Sequence, residues 1–180
     1  DASMNQVATP NRNEINQASN TDLFGQVNWN LSADWTATAG VRMSEVELKS
    51  IDNYTPFTVA EPDGSGSIKY KATSPVVGLT WHATNALNVY ANTGKGFETP
   101  TLSEVAYDLV NNAGNPVGTF NTKLLAATSV HQEVGTKWKF ASGSQLNLAY
   151  FSIDTDNEIV TKKSNAGKTV YQNASKTSRT

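Results

Sequence analysis

From Trp35 to Ser44 the chain reads Trp-Thr-Ala-Thr-Ala-Gly-Val-Arg-Met-Ser, with every odd position apolar and no even one so. A period of two sets Trp35, Ala37, Ala39, Val41 and Met43 on one face of a strand and Thr36, Thr38, Gly40, Arg42 and Ser44 on the other. A helix would scatter these residues around its whole circumference. Roughly nine such residues, tilted, suffice to cross a bilayer. The pattern therefore restricts the stretch to a sheet with one dry face and one wet one, in a soluble domain or in the wall of a transmembrane barrel.

The same alternation recurs along the chain. Leu23, Gly25, Val27, Trp29 and Leu31 oppose Gln26, Asn28 and Asn30, and Ser32-Ala33-Asp34 turns the chain into the Trp35 strand. Before this, Asp1–Thr21 shows no period and reads as a loop or the tail of a preceding strand. Past Glu45 the phase slips, since Val46 and Leu48 are even-numbered; a bulge or the upper limit of a membrane-buried section produces such a slip. Ser50–Ser67 is a long loop with Pro56, Pro62 and Asp63-Gly-Ser-Gly66 as breakers. A strand returns over Ile68–His82 with Pro75, Val77, Leu79 and Trp81 outward, although Val76 interrupts the pattern and Pro75 forfeits a ladder hydrogen bond. After a turn at Ala83–Ala86, Leu87–Asn92 runs back. Phe97–Ser129 is the longest connection and includes Asn111-Asn-Ala-Gly-Asn-Pro116; a loop this long usually carries function. Thr101 and Glu104 have capping-box spacing, which predicts a brief helix or turn. Val130, Gln132, Val134, Thr136, Trp138 and Phe140 then share a face, Ala141–Ser144 turns, and Leu146–Ile153 is a strand apolar on both faces, its orientation open. Asp154–Lys168 is polar, and a last strand begins at Lys168.

The fold class is all-β: an antiparallel up-and-down meander of about seven strands whose connections alternate short and long. Outer-membrane barrels combine tight periplasmic turns with long extracellular loops in this way. All four tryptophans, Trp29, Trp35, Trp81 and Trp138, fall near short turns and on the apolar face. That is the expected membrane-interface girdle at one rim; the alternative is tryptophan filling the end of a sandwich core. The totals exclude other classes. A net charge of −2 leaves no basic footprint for nucleic acid. Without cysteine there is no disulfide framework, thiolate metal site or thiol nucleophile. The polar, Asn-rich first 20 residues have no signal-peptide pattern, and no run approaches the roughly 18 apolar residues of a membrane helix.

The stretch Leu87–Tyr107, LNVYANTGKGFETPTLSEVAY, resembles the strand-to-loop segment of TonB-dependent outer-membrane receptors, siderophore-receptor type. Asp22-Leu-Phe-Gly-Gln26 with Trp35-Thr-Ala-Thr-Ala-Gly-Val-Arg42 resembles that family's hairpin, Glu133-Val-Gly-Thr-Lys-Trp138 one of its strands, and Phe151–Glu158 the exit of the next. Together these cover most of Leu23–Asn173. The resemblance implies a Gram-negative outer-membrane location and a transmembrane barrel of about 22 strands with a plugged lumen. Seven strands cannot close it, so residues 1–180 are expected to be part of such a β-barrel domain, with the plug absent and the barrel truncated at both ends. The intact receptor is expected to take up a ferric siderophore or similar nutrient with TonB energy, and not to be an enzyme or carry a cofactor. Expected partners are outer-membrane lipid, the nutrient, the receptor's own plug and TonB, with self-association of an isolated piece through its sheet edges. The alternatives are another outer-membrane barrel, of porin or secretion type, or a soluble β-sandwich binding module.

Ligand candidates divide by position. Inward side chains Arg42, Tyr90, Asn92, Glu133 and Lys137 would line the lumen, with Arg42 and Glu133 able to form an ion pair; the alternative is a solvated sheet face. Loop aromatics Tyr54, Phe57, Tyr107 and Phe120 offer rigid contact area to a large polar ligand, or simply pack the loops. His82 and His131 fall at opposite rims, so no shared metal site is expected. Asp154–Glu158 lacks the glycine of a calcium loop, Gly167-Lys-Thr169 lacks the strand–loop–helix context of a phosphate loop, and no Gly-x-Ser-x-Gly occurs.

Overall fold

The computed structural model describes residues 13–54, 57–58, 62–110, 114, 116–165 and 167–180. The strands are β1 (Glu14–Asn30), β2 (Trp35–Asp52), β3 (Gly66–His82), β4 (Leu87–Glu98), β5 (Leu109–Val110), β6 (Pro116–Val117), β7 (Ala127–Lys139), β8 (Gln145–Asp156), β9 (Ile159–Asn165), β10 (Lys168–Asn173) and β11 (Lys176–Arg179). Seven of them form one sheet in the order β1-β2-β3-β4-β7-β8-β11, with every neighbouring pair antiparallel. β5–β6 and β9–β10 are two-stranded sheets within the long connections. The meander, its turns and its long loops are those expected; residues 1–12, Pro56, and residues 111–113 and 115 of the expected irregular segments lie outside the described residues.

Register fixes the faces. Trp35 pairs Trp81, Ala39 pairs Val77, and Ala91 pairs Val134, which pairs Tyr150. Odd residues of β1–β3 and of the β3-paired part of β4, with even residues of β7 and β8, therefore share the outer face, and this settles β8: Leu146, Leu148 and Tyr150 face out, Phe151 faces in. The outer face is apolar yet exposed, with Leu23 at 72% and Leu148 at 67%. An apolar surface this continuous requires a nonaqueous neighbour. Among the described residues no second sheet covers it, unlike a sandwich.

Three local features depart from the sequence pattern. First, β1 begins at Glu14 rather than near Leu23, and its early half pairs residue by residue with β2 up to Asp52. Both faces of that half are polar, so no period marks it. Second, the phase slip at Glu45 is no bulge, since the β1–β2 and β2–β3 registers run through it unbroken. What changes is the covering of the inner face: Val46 and Leu48 turn inward under the β4–β7 connection, where Leu48, Tyr70, Val105, Phe120 and Leu124 form the buried core. Third, Lys168–Asn173 does not enter the main sheet. It pairs β9 as a loop hairpin, with Val170 buried, and the seventh sheet strand is β11, against Ile153–Asp156.

Pro75 and Val76 have a common explanation. The β3–β4 ladder ends at Val76↔Gly94, one residue from Pro75, so the missing donor stands where pairing stops. Val76 faces inward between two glycines, Gly40 and Gly94, and a Cβ on either would meet its side chain at 3.2–3.3 Å. Beyond this point β4 leaves β3 and continues with β7 alone, from Gly94↔His131 to Glu98↔Ala127.

Candidate functional site

The inner face carries the polar chemistry. Near the short turns, Thr36 Oγ1 lies 3.1 Å from Asn30 Oδ1 and 3.0 Å from His82 Nε2, and His82 Nδ1 lies 2.7 Å from Asn88 Oδ1. On the neighbouring strands Tyr90 donates to Glu133 Oε1 at 2.5 Å, and Lys137 Nζ stands 5.4 Å above the Tyr90 ring. The ring lies across Gly135, its cross-strand partner: a Cβ there would meet Tyr90 Oη at 2.6 Å and the Leu148 carbonyl at 2.7 Å.

A second cluster stands higher on the wall. Asp22 accepts from Arg42 Nε (2.9 Å) and Nη2 (2.6 Å), from Ser44 Oγ (2.5 Å) and from Asn20 Nδ2 (2.8 Å). The bidentate fork fixes the guanidinium in one plane. The expected Arg42–Glu133 pair does not form: Arg42 is bound to Asp22 on the adjacent strand, and Glu133 to Tyr90. Where β4 departs from β3, a cleft of about 500 Å³ opens between this cluster and Val76, Lys95 and Phe97. Asp22, Ser44, Lys95 and Phe97 are thus wall residues the sequence reading missed. The signal for Asp22 was present, because the turn around Ala33 pairs Asn30 with Thr36 and the unbroken register carries Asp22 to Ser44, diagonal to Arg42.

The β4–β7 connection folds as a cap over the inner faces of β2 and β3. Glu104 Oε2 accepts from the Thr101 N–H at 2.7 Å and from its hydroxyl at 2.9 Å, closing a single turn rather than a helix. Asn121 N donates to the Val105 carbonyl at 2.7 Å, and Tyr70 Oη to the Leu124 carbonyl at 2.8 Å. Tyr70 lies in the part of β3 above the apolar band, and burial beneath the cap pushes its phenol up to about 12. Asn173 ties the β9–β10 hairpin to the cap, accepting from Leu125 N (2.8 Å) and donating to the carbonyls of Leu125 (2.9 Å) and Asn157 (2.8 Å). Of the loop aromatics, Phe57 is exposed, Tyr54 is half-buried with its N–H on Asp52 Oδ1 at 2.9 Å, and Tyr107 lies under Lys168, whose Nζ is 5.7 Å from the ring. Phe120 is 8% exposed and belongs to the core, where Gly66 makes room for it: a Cβ on Gly66 would stand 2.5–2.6 Å from its ring. Its ring is therefore spent on packing and is not presented to a ligand.

Ser129 Oγ and His131 Nε2 lie 2.8 Å apart, but no carboxylate orients the imidazole among the described residues. Nor does any group of three or more metal-ligating side chains gather there.

An open, twofold-patterned antiparallel sheet with a bare apolar outside, a hydrogen-bonded polar inside and long loops at one end is the wall of an outer-membrane β-barrel. Residues 1–180 match the family described as TonB dependent receptor-like, beta-barrel, and the chain belongs to that family. Barrels of this family are non-enzymatic transporters of the Gram-negative outer membrane. Among solved structures, a double mutant of the Serratia marcescens hemophore receptor HasR, in complex with its hemophore HasA and heme, is 19% identical at a TM-score of 0.68, covering 89% of this chain and 30% of that one. The copper transporter OprC is 15% identical at 0.69, covering 87% and 24%. The siderophore receptor PirA from Pseudomonas aeruginosa is 18% identical at 0.55, covering 91% and 38%. The shared feature is the fold, and the chain spans well under half the length of each.

Proposed function

We propose that the chain supplies wall and loops to a TonB-powered receptor that imports a ferric siderophore or a similar scarce nutrient. The observation that carries this reading is the family match, which runs over residues 1–180. Import of this kind needs no bond made or broken by the wall. Exposed loops capture the ligand, the plug rearranges when pulled through TonB, and the barrel stays still. In this reading Tyr54, Phe57 and Tyr107 offer rings near the mouth, Arg42, Tyr90, Asn92 and Glu133 line the path or the plug, and Phe120 acts only by holding the cap in shape. Trp29, Trp35, Trp81 and Trp138 form the interface girdle. Their support is geometric: all four stand on the outer face toward the short-turn end, with Trp35 and Trp81 stacked at 6.0 Å between ring centroids.

The cargo is decided by an uptake panel. Cells lacking the gene are compared with the parent for accumulation of ferric siderophore, haem and copper under starvation for each. The reading expects loss of one uptake activity, abolished equally when TonB is removed. Unchanged uptake across the whole panel would contradict it. Loss of haem or copper uptake alone would leave the importer standing and replace the siderophore.

A further inference from the structure

One row of polar side chains interrupts the apolar outer face. Thr93, Gln132 and Ser152 stand side by side on β4, β7 and β8, in the pairs Thr93↔Gln132 and Gln132↔Ser152. Gln132 shares its face with Val134 and with Trp138, six residues away along β7. Six steps at ~3.3 Å, on a strand tilted by about 40°, put it roughly 15 Å from the Trp138 end of an apolar band about 25 Å tall. That is hydrocarbon depth. Thr93 settles its own hydroxyl by donating to the His131 carbonyl at 2.9 Å. The Gln132 side chain is exposed and has no partner among the described residues. Both strands that flank it are already in the sheet, so no further wall strand can reach it. A primary amide offers two donors and an accepting oxygen, and acyl chains answer none of them.

Beside this amide the wall is recessed. A groove of about 570 Å³ runs over Ala91, with Val77 and Leu79 on one side and Val134 and Tyr150 on the other. Residue size along one row, Leu79↔Ala91↔Val134↔Tyr150, gives it its shape. Its smallest side chain stands two strands from Tyr150, which is 66% exposed.

We infer that this face seats a second copy of the chain, in a two-fold dimer whose axis runs along the membrane normal beside β7. Two features select a like partner. An amide is its own complement, so two Gln132 side chains meeting at the axis each donate to the other's oxygen. The same axis lays β8 of one copy over β4 of the other, so each Tyr150 ring meets the Ala91 recess opposite. A lipid chain would fill the recess and leave the amide unanswered. The face is four strands wide and six residue steps tall, on the order of 400 Å² per copy at ~4.8 Å between strands and ~3.3 Å per residue. A standard stable interface buries about 800 Å² per partner, so this dimer is reversible and set by receptor density in the membrane. The inference rests on the outer face meeting lipid.

The test uses the full receptor that contains this chain, in lipid vesicles over a range of protein-to-lipid ratios. Insertion is followed separately by heat-modifiable electrophoretic mobility, and single-molecule photobleaching of one fluorophore per receptor counts the copies. The native receptor should pass from one bleaching step to two as density rises. Gln132→Leu removes the amide but keeps an apolar side chain of similar size, and should weaken the dimer about tenfold. Ala91→Trp fills the recess and should abolish it. Both variants should insert normally. Gln132→Cys should form a disulfide between receptors under mild oxidation, and Ala39→Cys, on the same face of β2 but away from the axis, should not. A native receptor that inserts yet stays single at every density would overturn the dimer and leave the membrane wall intact. Dimerisation of Gln132→Leu and Ala91→Trp at the native level would also overturn it, as would a Gln132→Cys crosslink in whole cells that captures a different outer-membrane protein. Failure of the native receptor to insert would overturn the dimer and the wall together.

Discussion

At the scale of single residues, two contacts decide whether the cap forms. Gly66 stands where the Phe120 ring must lie, and a methyl group there meets the ring at 2.5–2.6 Å. Gly66→Ala should therefore expel Phe120 and cost about 1–3 kcal/mol of cap stability, seen as lost amide protection around Val105 and Leu124. The second contact is Tyr70 Oη on the Leu124 carbonyl. Because burial raises this phenol from 10.0 to about 12, its stabilising contribution is complete below pH ~10 and is lost as pH rises through about 12. Amide exchange in the cap should be flat with pH-corrected rate up to that window and accelerate within it. Tyr70→Phe should abolish the alkaline limb and cost about 1 kcal/mol at neutral pH by leaving the Leu124 carbonyl without its donor.

At the scale of elements, the strands were legible where one face met hydrocarbon and illegible where neither did. Trp35–Met43 and Val130–Trp138 alternate because the two solvents differ across the sheet, whereas Glu14–Asp22 has polar residues on both faces and shows no period although it pairs as regularly as the rest. The β9–β10 hairpin was missed because the residues that tie it to the core, Ile159 and Tyr171, pack against a cap far away in sequence; a local sign was Gly167, at φ 78° in the turn. Of the candidate site, the Asp22–Arg42 fork was readable from a short turn, but Tyr90–Glu133 spans the longest loop, which fixes no register. Asn173 shows the same dependence on distant sequence. Asn173→Ala removes three hydrogen bonds to Leu125 and Asn157, and should free the hairpin while leaving the main sheet's melting unchanged, measured as exchange confined to β9–β10 and the Leu125 amide. Face parity has its own test. Ala39→Arg, at mid-band on the outer face, should cost about 2–4 kcal/mol in bilayer refolding, and Thr38→Arg, one residue away on the inner face, much less.

At the scale of the whole molecule, one division organises everything else. Apart from inward Phe24 and Phe151, the most exposed apolar side chains lie on the outside, the buried core lies inside under the loops, and polar networks line the inner wall between. A soluble protein would hide its apolar face; this one displays Leu23, Trp29, Val77, Leu148 and Tyr150 because the neighbour there is lipid. The most direct test is a nitroxide scan of positions 36 to 47 in the receptor reconstituted in a bilayer, reading accessibility to oxygen and to a water-soluble relaxant. Labels at 37, 39, 41 and 43 should respond to oxygen and those at 36, 38, 40 and 42 should not, with the outer-face response passing to the aqueous relaxant at 45 and 47. Uniform accessibility along the stretch, or greater oxygen exposure at the even positions, would contradict the assignment of faces on which the whole account stands.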